Sequence, residues 1–176
     1  MAKKGAIYER ELKNILSGDE QTIARITKTM SEEERENYKT LIRRPFLVLR
    51  AAGSFGVDLI AIRRDFSFPI EVKSSKEKKL RFTQNRGRGQ KQAEEIVREC
   101  ERAGIIALYA FRLKSVRGDP WRIFTLPMDI EFEGWPGYVY DILPKIPITR
   151  DGNYIMHWEE GMPLNKFIGY LNFEKK

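Results

Sequence analysis

Residues 53–73 read G-S-F-G-V-D-L-I-A-I-R-R-D-F-S-F-P-I-E-V-K. The apolar runs Leu59-Ile60-Ala61-Ile62 and Pro69-Ile70 predict two buried strands, joined by a short hairpin around Asp65 to Ser67. Asp58 opens the first strand, and Glu71 and Lys73 close the second. Side chains alternate faces along a strand, so Glu71 and Lys73 point the same way while Val72 turns to the core. The hairpin returns Asp58 to the side of Glu71. Two carboxylates and an ammonium group thus meet at the edge of a sheet.

Such a group suits magnesium-dependent phosphodiester chemistry. Magnesium prefers oxygen ligands, keeps several of its waters, and is held against a substrate phosphate by one or two carboxylates. Asp58 and Glu71 are the candidate ligands, and Glu9, on the first predicted helix, is a candidate third. Lys73 is placed to orient an attacking water or to neutralise developing charge. An isolated E-x-K is ordinarily a weak surface ion pair. Here the apolar flanks bury the strands and leave the charged ends on a rigid platform, the usual setting for a functional group. The reading is a nuclease.

Composition agrees with a polyanionic partner. The 176 residues carry a net charge of +7, with an isoelectric point near 9.5. Between Glu71 and Lys91 there are eight basic residues against two acidic ones. Lys76, Lys78, Lys79, Arg81, Arg86 and Arg88 form a basic loop directly after the proposed metal site. Residues 119 to 176 carry nine acidic and six basic side chains, so nucleic-acid binding falls to the first two-thirds of the chain. No apolar run is long enough for a bilayer, and Met1-Ala-Lys-Lys-Gly lacks the apolar stretch of a secretory signal. With one cysteine, Cys100, no internal disulfide forms, and a cytoplasmic, nucleoid-associated location is expected. Cys100 reads as core filler. His157, the one histidine, has no Cys or His companions for zinc. There is no phosphate-cradling glycine loop and no Ser/His/Asp set, and neither a membrane nor a small-molecule substrate is implied.

The predicted order is helix (6–16), further helical segments to residue 44, three strands, a helix closed by Gly104, then strands over 105–113 and 121–126. Ser31 to Glu34 reads as a capping box. Arg117 to Pro120 reads as a turn. This order implies an α/β fold with a mixed sheet flanked by helices. The tail from Pro127, rich in proline and aromatic residues, is expected to form short strands and turns against the main body or a partner subunit.

Several segments together resemble the archaeal Holliday-junction resolvase family, a branch of the restriction-endonuclease-like nucleases. They are Lys4-Gly5-Ala6 with Glu9-Arg10-Glu11-Leu12, Arg50 to Ile60 through Gly53-Ser54 and Asp58, Ile70-Glu71-Val72-Lys73, and Trp121-Arg122-Ile123. The resemblance covers roughly residues 1 to 16 and 45 to 126. It implies a restriction-endonuclease-like core over 1–126, with a helical insertion at about 17–44 and a C-terminal extension over 127–176. It further implies that Glu9, Asp58 and Glu71 bind magnesium, with manganese able to substitute, and that Lys73 assists the water. Ser54 would sit in the active-site turn, and Lys4, Arg10 and Arg50 would contact DNA. The family acts as a homodimer that nicks opposing strands of a four-way junction. Two rival functions stand beside this one: a restriction-like or repair endonuclease, and a non-catalytic protein that binds branched or single-stranded nucleic acid.

Overall fold

The computed structural model describes residues 4–51 and 56–173. Three helices, α1 (Lys4–Leu16), α2 (Glu20–Ile26) and α3 (Glu32–Arg43), precede strands β1 (Leu47–Arg50), β2 (Leu59–Ile62), β3 (Phe68–Ser75) and β4 (Lys79–Arg81). The long helix α4 (Gln84–Ala103) leads to β5 (Leu108–Leu113) and β6 (Trp121–Thr125). Helix α5 (Gly134–Ile142), strands β7 (Ile155–His157) and β8 (Met162–Pro163), and helix α6 (Leu164–Asn172) follow. The central sheet runs β1-β2-β3-β5-β6-β8. Only β3 and β5 are parallel, and α4 is the crossover that parallel pairing demands. The expected mixed sheet flanked by helices is therefore present.

Local sequence explains most of these elements. Leu12, Ile15 and Leu16 give α1 its buried face. The Ser31 hydroxyl accepts from the Glu34 N–H while the Glu34 carboxylate accepts from the Ser31 N–H, so α3 begins with the expected capping box. Ala93, Ile96 and Cys100 bury one stripe of α4, which ends at Gly104 in the left-handed region with φ 68°. Burial pushes the Cys100 thiol up to about 11, as befits a core residue.

The sheet divides the interior into two apolar layers. Leu59, Ile70, Leu108, Ala110 and Ile123 face α1, α3 and α6, joined by Val72. Tyr109, Phe111 and Phe124 face α4, beside Ala93, Ile96 and Cys100. By strand alternation Glu71 and Lys73 lie on the α4 side, register partners of Tyr109 and Phe111.

Four expectations need correction. The second strand of the hairpin does not close at Lys73 but continues to Ser75, because its whole length pairs with β5. The basic stretch is not a plain loop: Lys79–Arg81 forms β4 and pairs antiparallel with β7, some 75 residues further on. The strand expected from Ile105 starts at Leu108, since the Ile105 N–H closes the end of α4 on the Cys100 carbonyl. The tail contains two helices as well as short strands. In α5, Pro136 sits in the first turn, where its missing N–H does no harm. Gly137 is needed there because a Cβ would run into the Phe132 carbonyl. The tail also shares the body of the fold. β8 extends the central sheet, and α6 buries Leu164, Phe167, Ile168 and Leu171.

Two buried carboxylates tie α1, α3 and α6 to the sheet. Glu11 accepts from Arg112 Nε at 2.9 Å and Trp121 Nε1 at 3.0 Å, joining α1 to β5 and β6. Asp119, in the turn before β6, accepts from the Tyr38 hydroxyl at 2.9 Å and the Trp121 N–H at 3.1 Å. It also accepts from Asn165 N and Nδ2 at 2.8 and 2.9 Å. Truncating it strands these donors in an apolar interior. Asp119→Ala is expected to destabilise the protein by about 3 kcal/mol, read as the shift in denaturant midpoint at constant slope. A shift near zero would show that water replaces the carboxylate.

Candidate active site

Three backbone contacts build the site. The Asp58 N–H donates to the Ile70 carbonyl, and the Asp58 carbonyl accepts from the Ala51 N–H, both at 3.0 Å. Leu59 pairs with Ile70, which sets Asp58 across from Glu71. The Asp58 carboxylate then accepts from the Val72 N–H at 2.8 Å, a side chain clipped to the neighbouring strand. Lys73 Nζ donates to Glu71 Oε1 at 2.6 Å and to Gln92 Oε1 at 3.3 Å. Gln92 Nε2 in turn donates to the Gly56 carbonyl at 2.6 Å. One amide on α4 thus links the lysine to the turn ahead of Asp58.

The electrostatics of this group are unusual for an ion pair. The Glu71 side chain is only 6 % exposed. Burial, opposed by Lys73 and reinforced by Asp58, raises its carboxyl from 4.5 to about 7. Asp58 is also raised, chiefly by burial, with the Val72 N–H pulling down and Glu9 pushing up. Glu71 Oε2 is buried with no hydrogen-bond partner, and so is the hydroxyl of Tyr109, its register partner. A lone buried carboxylate oxygen beside a second carboxylate is a place for a proton or a cation. The residues fit a hard divalent ion held by two carboxylates. Among the described residues no three acidic, His or Cys side chains gather closely enough to cage a metal by themselves.

Glu9 occupies a neighbouring position. It is held by Arg50, whose Nη2 donates to Glu9 Oε2 at 2.8 Å. Arg10 is exposed on α1. Ser54 and the side chain of Lys4 lie outside the described residues. In the basic stretch Lys76 and Lys79 are exposed, and Lys78 is paired with Glu159. Arg81, Arg86 and Arg88, with Lys73 and Gln92, line a cavity of about 520 Å³. Gln92 escaped the sequence reading. Its one signal was a polar side chain beside the buried stripe of α4, adjacent to Ala93. Tyr109 also escaped, because an apolar strand gives no hint that a phenol faces a carboxylate.

The Glu71 shift carries a stability consequence. Glu71 holds its proton more tightly folded, at about 7, than unfolded, near 4.5. Its stabilising share is complete below pH 4.5 and is lost as pH rises through 7. Glu71→Gln, which does not titrate, is expected to gain on wild type by up to about 3 kcal/mol between pH 4.5 and 8. Denaturation midpoints at both ends measure this, and parallel pH curves would refute it.

Among known proteins, residues 27–175 match the family described as archaeal Holliday junction resolvase (Hjc). No curated protein sequence matches. A solved structure that is similar is the 1.6 Å structure of Archaeoglobus fulgidus Hjc, a Holliday junction resolvase from an archaeal hyperthermophile. It is 21 % identical, with a TM-score of 0.47, and the match covers 79 % of this chain and 97 % of that one. A family match over most of the length, spanning Asp58, Glu71, Lys73 and the whole sheet, shows that this chain belongs to the archaeal Holliday junction resolvase family.

Proposed function

We propose that this chain is a metal-dependent, structure-selective endonuclease that resolves four-way DNA junctions by paired nicks in opposing strands. The observation that carries the reading is the buried Oε2 of Glu71, which no donor among the described residues reaches and which stands beside a second carboxylate, Asp58, with Lys73 on the same strand. A merely structural ion pair would satisfy both carboxylate oxygens, as Glu11 does with Arg112, Trp121 and Arg25.

In this mechanism Asp58 and Glu71 would hold magnesium, or manganese in its place. When bound, the ion supplies Lewis acidity toward the scissile phosphate and lowers the pKa of a coordinated water. The chain's residues do the rest. The Val72 N–H fixes the Asp58 carboxylate, so its ligand position is set before substrate arrives. Glu71, whose carboxyl is raised to about 7, would have to give up its proton to serve as a ligand. Lys73, oriented by Gln92, brings a positive charge to the reacting phosphate. Arg50 has two uses, as partner of Glu9 and as a phosphate contact. Moving to DNA would release Glu9 as an additional acid at the site.

Paired nicking calls for two centres in one particle, and a two-fold homodimer provides them. Support comes from the bare face of β1 and β2. Leu47 lies across from Ile62 and Leu49 across from Ile60, four exposed apolar side chains on one face of the hairpin. No helix among the described residues is long and apolar enough to cross a membrane, and a cytoplasmic site of action beside chromosomal DNA suits the reading.

The decisive assay compares a synthetic four-way junction with matched linear duplex in magnesium or EDTA. Wild type is expected to make paired, magnesium-dependent cuts in the junction alone, and Asp58→Asn to lose roughly 100-fold or more in rate. Tight junction binding without cleavage in any metal would make the protein a binder. Equal cutting of duplex would remove the structural selectivity. For the dimer, Leu49→Lys is expected to shift the sedimentation coefficient to that of a monomer while single-strand nicking persists. An unchanged coefficient would put the contact elsewhere.

A further inference from the structure

The cavity between β4 and the start of α4 has features that cleavage alone does not require. Its volume, about 520 Å³, is in the range of sites for single small ligands and far below what a stretch of duplex occupies. Lys73 and Gln92 form one wall, so the cavity opens directly onto the candidate active site. Phe82, buried at 2 % exposure, contributes an apolar surface.

Three of its cations differ from the arginines and lysines that are held in ion pairs. Arg50 is committed to Glu9, Lys78 to Glu159 and Arg112 to Glu11. Among the described residues, Arg81, Arg86 and Arg88 have no acidic partner. Three unneutralised guanidinium groups around one concavity suit a phosphate, and their planar faces suit a base. Gln84 and Asn85 add amides that donate and accept.

The backbone at the rim is also strained. Asn85, Arg86 and Gly87 have φ of 55°, 61° and 71° in succession, left-handed geometry that asparagine and glycine tolerate and that Arg86 adopts against its preference. Such outliers persist where surrounding structure holds a side chain in a required place.

We propose that this cavity receives one unpaired nucleotide of the strand being cut, beside the scissile phosphate. The inference rests on the nuclease reading and names the form of its substrate. A nucleotide must leave its stack to enter, which is easier at a branch point than inside a duplex. Selectivity for junctions then follows from access to the cavity, with no base sequence read. It also accounts for amides that contact either edge of a base without specifying one.

The test uses the full-length protein in EDTA and four-way junctions carrying 2-aminopurine singly at each position around the crossover. Separately, the cut position is mapped in magnesium. Binding is expected to brighten the probe several-fold at a position neighbouring the cut. Arg86→Gly should reduce that rise by at least half while the melting temperature holds, since glycine accepts a φ of 61° without strain. Gln84→Ala should weaken it as well. A bound junction that brightens at no position overturns the inference, and so does a rise that both variants leave intact. Brightening lost in Arg86→Gly, with no cleavage in any metal, would sink the nuclease reading and leave the cavity as the seat of an unpaired nucleotide of a bound, uncut junction.

Discussion

The register of β3 governs everything at this site. Pairing of Leu59 with Ile70 on one side, and of Glu71 with Tyr109 on the other, fixes which face carries the charges. A slip of one residue against either neighbour would send Glu71 and Lys73 into the layer beneath α1 and bring Val72 up in their place. The sheet resists that slip because both layers are filled. Ile70 and Val72 pack toward α1, while Tyr109 and Phe111 pack toward α4. Chemistry on the α4 face therefore depends on apolar packing on the opposite one. The parallel β3–β5 pair also requires α4 as its crossover, and that same helix delivers Gln92 to Lys73.

Among the described residues three carboxylates are buried and a fourth, Asp58, is half-buried, and they fall into two kinds. Glu11 and Asp119 accept enough hydrogen bonds to account for their oxygens, and each joins elements distant in sequence. They act as fasteners. Asp58 and Glu71 are less completely satisfied. Asp58 has one backbone donor, and Glu71 shares Lys73 with an amide and leaves Oε2 without a partner. Burial and Asp58 raise the proton affinity of Glu71, and burial and Glu9 raise that of Asp58, a grouping that a fold selected for stability alone would avoid. The pairing of Leu59 with Ile70 and the Val72 N–H keep Asp58 beside Glu71.

The sequence made part of this legible. Asp58, Glu71 and Lys73 could be read because a two-residue period beside apolar runs fixes faces without knowledge of the rest of the fold. The capping box at Ser31 and the stop at Gly104 were local in the same sense. What escaped was non-local. β4 has three residues, too few for an alternating pattern to be read, and it is a strand because β7 lies against it. Asp119 reads as an ordinary turn aspartate, and its role depends on Tyr38 and Asn165, each more than 40 positions away. α5 hid behind Gly134, Pro136 and Gly137, although proline in a first turn is compatible with a helix. Leu164, Phe167, Ile168 and Leu171 did carry a helical period, and the aromatic, proline-rich composition around them obscured it.

Charge count alone misjudges which cations are free. Of the basic residues expected to meet nucleic acid, Arg50 and Lys78 carry acidic partners and so present little net field. An arginine already in a salt bridge must break it to reach a phosphate, and the gain is the difference between two similar contacts. Arg81, Arg86 and Arg88 face no such exchange. They sit where the sheet ends and α4 begins, at the margin of the group formed by Asp58, Glu71 and Lys73. A polyanion that reaches these arginines comes up against the carboxylates, whose own negative charge would repel it. That repulsion falls when Glu71 is protonated or when a cation fills the gap beside Oε2. Phosphate approach and the charge state of Glu71 are therefore coupled, and the free arginines set how close a strand comes before the acids must be neutralised.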